Sequence, residues 1–338
     1  MRKKTVYRIN LFLLFLTATV VFTINACDSK ILWFKQGEIN STIVQTPPLS
    51  LTRKPVATKI VSHALGQVEI PLHPQRIVVL DGEGFLLDAL LALGIKPVGL
   101  TRCSNCINSA PFSEFVGDIP TVGNDEQPSL EKILSLKPDL ILGYKWQNNF
   151  YSLLSEIAPT VMIDIYFGGN DFKRDFKYLA EILDKNNQSE RILAEYNERI
   201  QNFRQKLGEK LKTETVSLLA FWGSTVHVYG PELLVYAEVM SDVGIQFIPA
   251  YKNLKNDYLQ INIETLPDWD ADFLFIQFYY KEDFEDLKSL SFFKEPIWST
   301  LKAVRNKQVY IMSWSGTGGP ILANQVLDEL YAYFLNNL

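Results

Sequence analysis

Apolar side chains recur every three or four residues in a long stretch near the middle of the chain. They are Ile192, Tyr196, Ile200, Phe203, Leu207 and Leu211, and this spacing places them on one face of an α-helix. The opposite face carries charges of alternating sign at steps of four, which support a helix locally. Ser189 can cap the start of this helix, and Gly208 is the first residue that would interrupt it. We therefore predict a helical connector over residues 171–212, whose part after Ser189 would span roughly 36 Å.

A similar segment occurs on each side of the connector, at residues 129–139 and 262–272. Glu131 precedes Asp139 by the same eight positions that separate Glu264 from Asp272. Each segment has a helical pattern and leads into an apolar run typical of a buried strand. The repetition indicates one supersecondary unit that is used twice.

Short β-branched runs alternate with helical patterns through the rest of the chain from residue 57. Two extended pieces around Gly66 predict a hairpin, and the runs at 76–80, 97–100, 140–142 and 160–163 predict parallel strands separated by helices. The same alternation continues after the connector. Strand-like runs occur at 215–221, 273–278 and 309–312, and helical patterns occur at 232–243 and 320–335. We predict two α/β lobes, at 57–170 and 213–338.

The first residues have the layout of an export signal. Arg2, Lys3, Lys4 and Arg8 precede an uncharged run of about fourteen residues that ends at Ile24, which is shorter than the roughly twenty residues of a spanning helix. A short membrane anchor is the alternative interpretation. Because Cys27 follows Ala26, residues 1–26 resemble a bacterial lipoprotein signal peptide, which implies a lipid on Cys27. Residues 27–56 show no periodicity and predict a flexible tether.

Two further cysteines, Cys103 and Cys106, are close together in the sequence. In an exported and therefore oxidising setting they favour a small structural disulfide. A redox pair and two free thiols are the alternatives, and a zinc site would need ligands that are not nearby.

Composition and charge reduce the number of function classes that this chain can belong to. The 338 residues carry a net charge of −5, so a nucleic-acid partner, which would favour a basic stripe, is not expected. The three histidines, His63, His73 and His227, accompany no nucleophile or phosphate-loop motif. His227 fits a hydrogen-bonded strand histidine better than a haem ligand or a polar cleft contact. The glycines at 316–319 favour a simple turn into a helix, with an anion at the helix start as the alternative.

Several stretches together resemble a family, the helix-bridged substrate-binding proteins of ABC importers for ferric siderophores, haem and cobalamin. They lie at 63–71, 74–80, 92–99, 122–123, 128–139, 298–304 and 308–311. The resemblance implies two Rossmann-like lobes joined by a single long α-helix, the class III periplasmic binding protein type. It implies a monomeric extracytoplasmic lipoprotein without enzymatic activity or cofactor. Such a protein would carry an Fe(III)-siderophore to an ABC permease dimer with only a small closure of the lobes.

Aromatic and basic residues follow the predicted strands, where ligands of open α/β sheets collect. We predict that the ligand is lined by Arg102, Tyr144, Trp146, Trp222, Tyr279 and Trp314; Lys145, Tyr166 and Tyr280 lie at similar positions. Rings of this kind suit a large chelate, and cationic groups would neutralise its oxygens. The resemblance supports Arg102 and Trp314, whose places are similar to ligand-contacting positions in hydroxamate-siderophore members. No direct metal ligand is predicted.

Glu131 and Glu264 begin helical turns, where an acidic side chain complements the helix dipole. The resemblance implies a further role, in which each glutamate forms a salt bridge with an arginine of one permease subunit. Haem or cobalamin remains the alternative ligand. An exported α/β enzyme that uses Asp81 or Glu83 as acid or base is the alternative of another class.

Overall fold

The computed structural model describes residues 57–81, 84–102, 113–165, 171–208, 213–222, 225–254, 258–278, 291–312 and 318–335. The predicted signal peptide (1–26) and tether (27–56) lie outside these ranges. The described part begins with an antiparallel hairpin of β1 (Thr58–His63) and β2 (Gly66–Pro71). Gly66 has a φ of 136°, which favours glycine at this turn.

A five-stranded parallel sheet follows, in the order β5-β4-β3-β6-β7. Its strands are β3 (Ile77–Val79), β4 (Gly99–Arg102), β5 (Thr121–Asn124), β6 (Leu140–Tyr144) and β7 (Thr160–Ile163). The helices between them are α1 (Phe85–Ala92), α2 (Ser113–Val116), α3 (Leu130–Ser135) and α4 (Tyr151–Ile157), with a 3-10 helix at Lys145–Phe150. We call this part, with the hairpin, the N-terminal lobe.

Alternate residues of these strands enter different hydrophobic clusters, which explains why the strands read as continuous apolar runs. Ile77, Val79 and Leu142 belong to the large core that continues into the rest of the molecule. Val78 and Ile141 pack instead in a smaller cluster with α3 and α4.

The connector contains two helices, α5 (Phe172–Ile182) and α6 (Asn186–Leu207). The prediction of one helix is therefore corrected for the described residues 171–208, where the helix is interrupted at Asp184, whose φ is 56°. Residues 209–212, with Leu211, lie outside the described part. Ser189 does not cap the helix; it is buried within α6, and its hydroxyl donates to the carbonyl of Asn186 (2.9 Å). The end at Leu207 before Gly208 agrees with the prediction.

The C-terminal lobe contains a six-stranded sheet in which β8 is central. Its strands are β8 (Thr215–Trp222), β9 (Thr225–Tyr229), β10 (Gln246–Phe247), β11 (Tyr258–Ile261), β12 (Phe273–Phe278) and β13 (Val309–Ile311). β10, β8, β12 and β13 pair in parallel, whereas β9 and β11 are antiparallel additions at one edge.

The helices of this lobe lie between its strands along the chain and after the last of them. They are α7 (Val235–Val243), α8 (Lys302–Arg305) and α9 (Pro320–Leu335), with 3-10 helices at Pro249–Asn253, Ile263–Trp269, Ser291–Lys294 and Pro296–Thr300. The duplicated segments occupy equivalent places, since α3 leads into β6 and the helix at Ile263–Trp269 leads into β12. β6 and β12 in turn pair in parallel with β3 and β8, the first strands of their sheets.

Candidate functional site

The carboxyl ends of the N-terminal strands bring several polar side chains into one network. Asp81 follows β3, Thr101 lies in β4, Asp125 follows β5 and Tyr144 ends β6. The hydroxyl of Thr101 donates to Asp125, and the hydroxyl of Tyr144 donates to Asp81. This edge of the sheet is therefore pre-organised by side chains from neighbouring strands.

Asp81 holds the start of α1. Its carboxylate accepts hydrogen bonds from the backbone N–H groups of Gly84 and Leu86, each at 2.8 Å, and from the hydroxyl of Tyr144 at 2.6 Å. Burial and the nearby Asp81 charge raise the pKa of Tyr144, so its hydroxyl keeps its proton and remains a donor. These contacts give Asp81 a structural role and do not favour its use as an acid or base. Glu83 lies outside the described residues.

Gln147 is a fully buried residue that the sequence did not single out. Its amide nitrogen donates to the carbonyls of Leu80 (3.0 Å) and Asp125 (2.9 Å), while its oxygen accepts from the N–H of Tyr144 (2.9 Å). One side chain thereby ties three strand ends together. The sequence offers no signal for this, because the two carbonyl partners are backbone groups from distant positions.

Trp146 is the exposed aromatic residue at this edge. Its side chain is 52% exposed, and its ring is stacked on that of Tyr144 with centroids 6.4 Å apart and planes 16° apart. The ring of Tyr144 thus supports that of Trp146. Arg102 is half-buried and donates to the hydroxyl of Thr121 (2.9 Å) and the carbonyl of Val116 (3.2 Å), which orients its guanidinium.

The other predicted ligand residues belong to parts that the structure describes incompletely. Trp222 ends β8, where its backbone pairs with Thr225, but its side chain lies outside the described part. Tyr279 and Trp314 lie wholly outside the described residues, as do Tyr166 and Tyr280. Cys27, Cys103 and Cys106 also lie outside them.

His227 lies in β9 with neighbours that fit a strand histidine. Its Nε2 is 3.0 Å from the hydroxyl of Thr225, and its ring is 6.1 Å from that of Tyr258. Burial lowers the pKa of His227, so the imidazole is neutral near pH 7.

Pro320 is the first residue of α9, as the simple turn into a helix predicts, and the start of this helix is capped by a carboxylate of the protein itself. Fully buried Asp88 of α1 accepts from the N–H groups of Ile321 and Leu322, each at 2.9 Å. A Cβ at Gly319 would lie 3.0 Å from the Asp88 Oδ1, so glycine permits this approach. Burial raises the pKa of Asp88 to about 6, against the effect of these hydrogen bonds.

Glu131 and Glu264 are both exposed and lie in the first turns of their helices. The aspartates eight residues later make equivalent contacts. Asp139 accepts from the N–H groups of Gln75 and Arg76 (both 2.8 Å) before β3, and Asp272 accepts from the N–H of Thr215 (2.9 Å) in β8. The repetition therefore extends to side-chain contacts, and it places the two glutamates at equivalent points of the two lobes.

No group of three or more potential ligand side chains that could hold a metal ion occurs within the described residues. In the same part of the chain, no helix combines the length and apolar character needed to cross a membrane.

Two α/β lobes joined by helices, with polar and aromatic side chains at the carboxyl ends of parallel strands, define a two-lobed binding-protein fold. The family model of the periplasmic binding proteins matches residues 77–313. The chain belongs to this family, which is a family of solute-binding proteins.

Known proteins are similar to this chain over most of its length. A probable siderophore-binding lipoprotein of Bacillus subtilis, YfiY, is 29% identical over 96% of this chain and 97% of its own length. An achromobactin-binding periplasmic protein of Dickeya dadantii is 29% identical over 76% of this chain and 85% of its own. The crystal structure of Staphylococcus aureus SirA complexed with staphyloferrin B superposes with a TM-score of 0.69 at 28% identity, covering 82% of this chain and 98% of that one. These comparisons confirm the fold class and the family predicted from the sequence.

Proposed function

We propose that this protein binds a ferric siderophore at the carboxyl ends of its strands and delivers it to an ABC permease. The observation that carries the proposal is the likeness to YfiY, named as a probable siderophore-binding lipoprotein, across 96% of the chain. The likeness to SirA, whose structure holds staphyloferrin B, supports the same ligand class. No specific observation favours haem or cobalamin.

The N-terminal lobe would contribute Arg102 and Trp146 to the ligand. Trp146 offers an exposed ring that is stacked on the ring of Tyr144, and such a surface suits the apolar parts of a chelate. Arg102, oriented by Thr121 and Val116, would neutralise chelate oxygens. Trp222, Tyr279 and Trp314 would complete the site from the C-terminal lobe.

Delivery would use Glu131 and Glu264, one from each lobe. Both carboxylates are exposed and occupy equivalent positions in a duplicated unit, as suits a permease with two similar subunits. Each would form an ion pair with an arginine of one subunit.

The protein would act as a monomer outside the cytoplasmic membrane. Export and a lipid on Cys27 are supported by the N-terminal sequence and by the lipoprotein designation of YfiY. The tether at 27–56 would keep the folded part close to the permease.

Ligand titrations test the binding proposal. Ferric siderophores of hydroxamate, catecholate and citrate type, haem and cobalamin are added separately to purified protein while tryptophan fluorescence is followed. We expect saturable quenching by at least one ferric siderophore and none by haem or cobalamin. Native mass spectrometry of protein from its own host reports the ligand mass and the thiol state together. Saturable binding of haem or cobalamin alone would contradict the proposal.

Arg102 provides a sharper test of the ligand site. We expect Arg102→Gln to weaken ferric siderophore binding about tenfold, because a charge-assisted contact to the chelate is lost. Lys96→Gln is the matched control, since Lys96 is 53% exposed and pairs with Asp118. Equal affinities of wild type and Arg102→Gln, with both folded by circular dichroism, would remove Arg102 from the site.

A further inference from the structure

Acidic residues outnumber basic residues at the carboxyl ends of the N-terminal strands. Within the part of the chain that the structure describes, the basic residues there are Arg102, the last residue of β4, and Lys145, which follows β6. The acidic residues at the same edge are Asp81 after β3, Asp125 and Glu126 after β5, and Asp164 after β7. The formal charge of this edge is therefore negative.

The positive charge of Lys145 is cancelled within this edge. Its ammonium group lies 2.7 Å from a carboxylate oxygen of Asp164, and the two side chains are 48% and 64% exposed. The residues follow β6 and β7, which are neighbours in the sheet, so the strand order brings them together. Arg102 donates instead to two uncharged oxygens, those of the Thr121 hydroxyl and the Val116 carbonyl. Among the described residues, one guanidinium is thus the cation of this edge that is not in an ion pair.

The described strand ends of the C-terminal lobe add no positive charge. Thr225 pairs with Trp222 where β8 ends, and His227 lies two residues further along β9 on the same face. Burial lowers the pKa of His227, so its imidazole carries no charge near pH 7. The described residues at this end of β8 and β9 therefore contribute no net charge.

The segments that follow strand ends in the sequence, and whose structure lies outside the described residues, have a similar balance of charge. They are 82–83, 103–112 and 166–170 in the N-terminal lobe and 223–224, 279–290 and 313–317 in the C-terminal lobe. Their basic residues are Lys281 and Lys288, whereas their acidic residues are Glu83, Glu282, Asp283, Glu285 and Asp286. No segment therefore brings an excess of positive charge.

Ferric siderophores differ in net charge according to the groups that bind the iron. A hydroxamate binds as a monoanion, so three hydroxamates neutralise iron(III). A catecholate binds as a dianion, so three catecholates leave a strongly negative complex, and chelates of the citrate type are also negative. Such anions need cations when they leave water, and negative charges around the site weaken their binding and slow their arrival. The stacked rings of Tyr144 and Trp146 instead suit a chelate of little net charge.

We propose that the ligand is a ferric hydroxamate with a net charge close to zero, and that the Lys145–Asp164 pair helps to exclude more strongly anionic chelates. This inference rests on the proposed function and names the class of chelate that the same site accepts. The pair acts by cancelling a cation that would otherwise attract an anionic competitor. Arg102 then meets the hydroxamate oxygens as a donor of hydrogen bonds rather than as one of several neutralising charges.

The first test compares ferrioxamine B, ferri-bacillibactin and ferric staphyloferrin B on the purified wild-type protein by tryptophan fluorescence. They represent the hydroxamate, catecholate and citrate-containing classes. We expect ferrioxamine B to bind at least about a hundredfold more tightly than either anionic chelate. Its affinity should not change with salt, whereas the weak binding of ferri-bacillibactin should tighten as salt screens the repulsion.

The second test changes the charge at the site. Asp164→Asn removes the partner of Lys145, and we expect it to raise the affinity for ferri-bacillibactin relative to ferrioxamine B about tenfold. Adding Lys145→Gln removes the released charge and should return this ratio to the wild-type value. Asp118→Asn is the matched control, because Lys96 and Asp118 form an exposed ion pair (2.6 Å) in the same lobe but precede β4 and β5.

The outcomes separate the inference from the proposed function. Tighter binding of either anionic chelate than of ferrioxamine B would overturn the inference and leave the proposed function intact, and an unchanged ratio in Asp164→Asn would overturn the role of the ion pair. If none of the three binds, mass spectrometry of the ligand retained by protein from its own host decides: a hydroxamate supports the inference, and a chelate without hydroxamates overturns it. Saturable binding of haem or cobalamin alone would instead overturn the proposed function.

Discussion

Asp88 is a charged residue in the middle of an otherwise apolar helix, and its burial is complete. Its carboxylate caps α9, a helix that begins more than two hundred positions further along the chain. An aspartate inside such an apolar pattern signals a buried partner, although the sequence does not say which. Only the tertiary structure identifies the N–H groups of Ile321 and Leu322.

Replacing Asp88 should destabilise the protein. Asp88→Ala leaves one buried and one partly buried N–H group without this acceptor, and we expect the free energy of unfolding to fall by about 2–4 kcal/mol. Urea unfolding followed by circular dichroism measures this change. Asp268, which is exposed in the 3-10 helix at Ile263–Trp269, is the control. Asp268→Ala should change the free energy of unfolding by less than about 0.5 kcal/mol. Equal stability of Asp88→Ala and wild type would show that the cap contributes nothing.

Asp88 also predicts a dependence of stability on pH. Its pKa is raised from 3.8 to about 6 in the folded state, so the folded protein binds a proton that the unfolded chain does not bind between these values. The wild type should therefore gain stability relative to Asp88→Asn as the pH falls, by about 1 kcal/mol from pH 7 to pH 5 and about 3 kcal/mol in full below pH 4. Urea unfolding of both proteins at several pH values checks this. A difference that is constant with pH would contradict it.

His63 should have the opposite effect. Its Nδ1 lies 3.3 Å from the N–H groups of Leu65 and Met162, which hold the neutral ring, and burial lowers its pKa below 6.5. The unfolded chain takes up the proton first, so this residue makes the folded state less stable as the pH falls below 6.5. NMR should find the His63 ring titrating below 6.5, with the amide signals of Leu65 and Met162 shifting at the same midpoint. A midpoint at or above 6.5 would exclude this environment.

At the level of elements, the connector is fixed to the C-terminal lobe by a cluster of charges. Lys173 of α5 contacts Glu238 (2.8 Å) and Asp242 (2.6 Å) of α7, and Asp242 also accepts from the hydroxyl of Tyr196 in α6 (2.8 Å). Helices α5, α6 and α7 thus meet at one cluster of largely buried polar side chains. The contact was not predictable from the periodicity of any single helix.

Lys173→Met should therefore destabilise the folded protein. It leaves two partly buried carboxylates without their cation, and we expect a loss of about 3 kcal/mol in the free energy of unfolding. Lys177→Met is the matched control, because Lys177 lies one turn further along α5 and is exposed; its effect should be below about 0.5 kcal/mol. Thermal unfolding of both variants measures the difference. Similar melting temperatures would mean that the cluster does not hold the connector.

Several regular elements were predicted closely because their patterns are local, whereas β4, predicted at 97–100, lies two residues further along. β7 and β12 have the predicted bounds, and α9 covers the predicted range. The break at Asp184 was missed because no glycine or proline marks it, and a non-glycine residue with positive φ gives no strong sequence signal. The short, interrupted helix at Ile263–Trp269 was recognised through its likeness to residues 129–139 rather than by its own pattern.

At the level of the whole molecule, contacts other than the connector also hold the two lobes together. The large hydrophobic core continues from β3 and α1 through α5 and α6 to α7 and α9. The Asp88 cap adds a direct link between α1 and α9. Such continuity favours a small adjustment around a ligand over a wide hinge motion.

A nearly rigid body would present both glutamates together, which predicts how their variants combine. We expect Glu131→Ala and Glu264→Ala each to reduce siderophore uptake severalfold and the double variant to abolish it, with ligand affinity unchanged in all three. Glu156→Ala is the control, since Glu156 is exposed in the last turn of α4. Uptake at the wild-type level in the double variant, or a parallel loss of ligand affinity, would contradict the docking role.

The sequence by itself determined the order of most strands and helices, the duplicated unit with its two glutamates, and the family, because each of these depends on spacing along the chain. It did not predict the short strands β5, β10 and β11. The tertiary structure decided which distant groups meet: Asp88 with the start of α9, Gln147 with three strand ends, and Lys173 with α7. The physical reason is that a buried polar group is satisfied by whatever donor or acceptor the fold brings to it. Periodicity records which face is buried, but it does not record the partner.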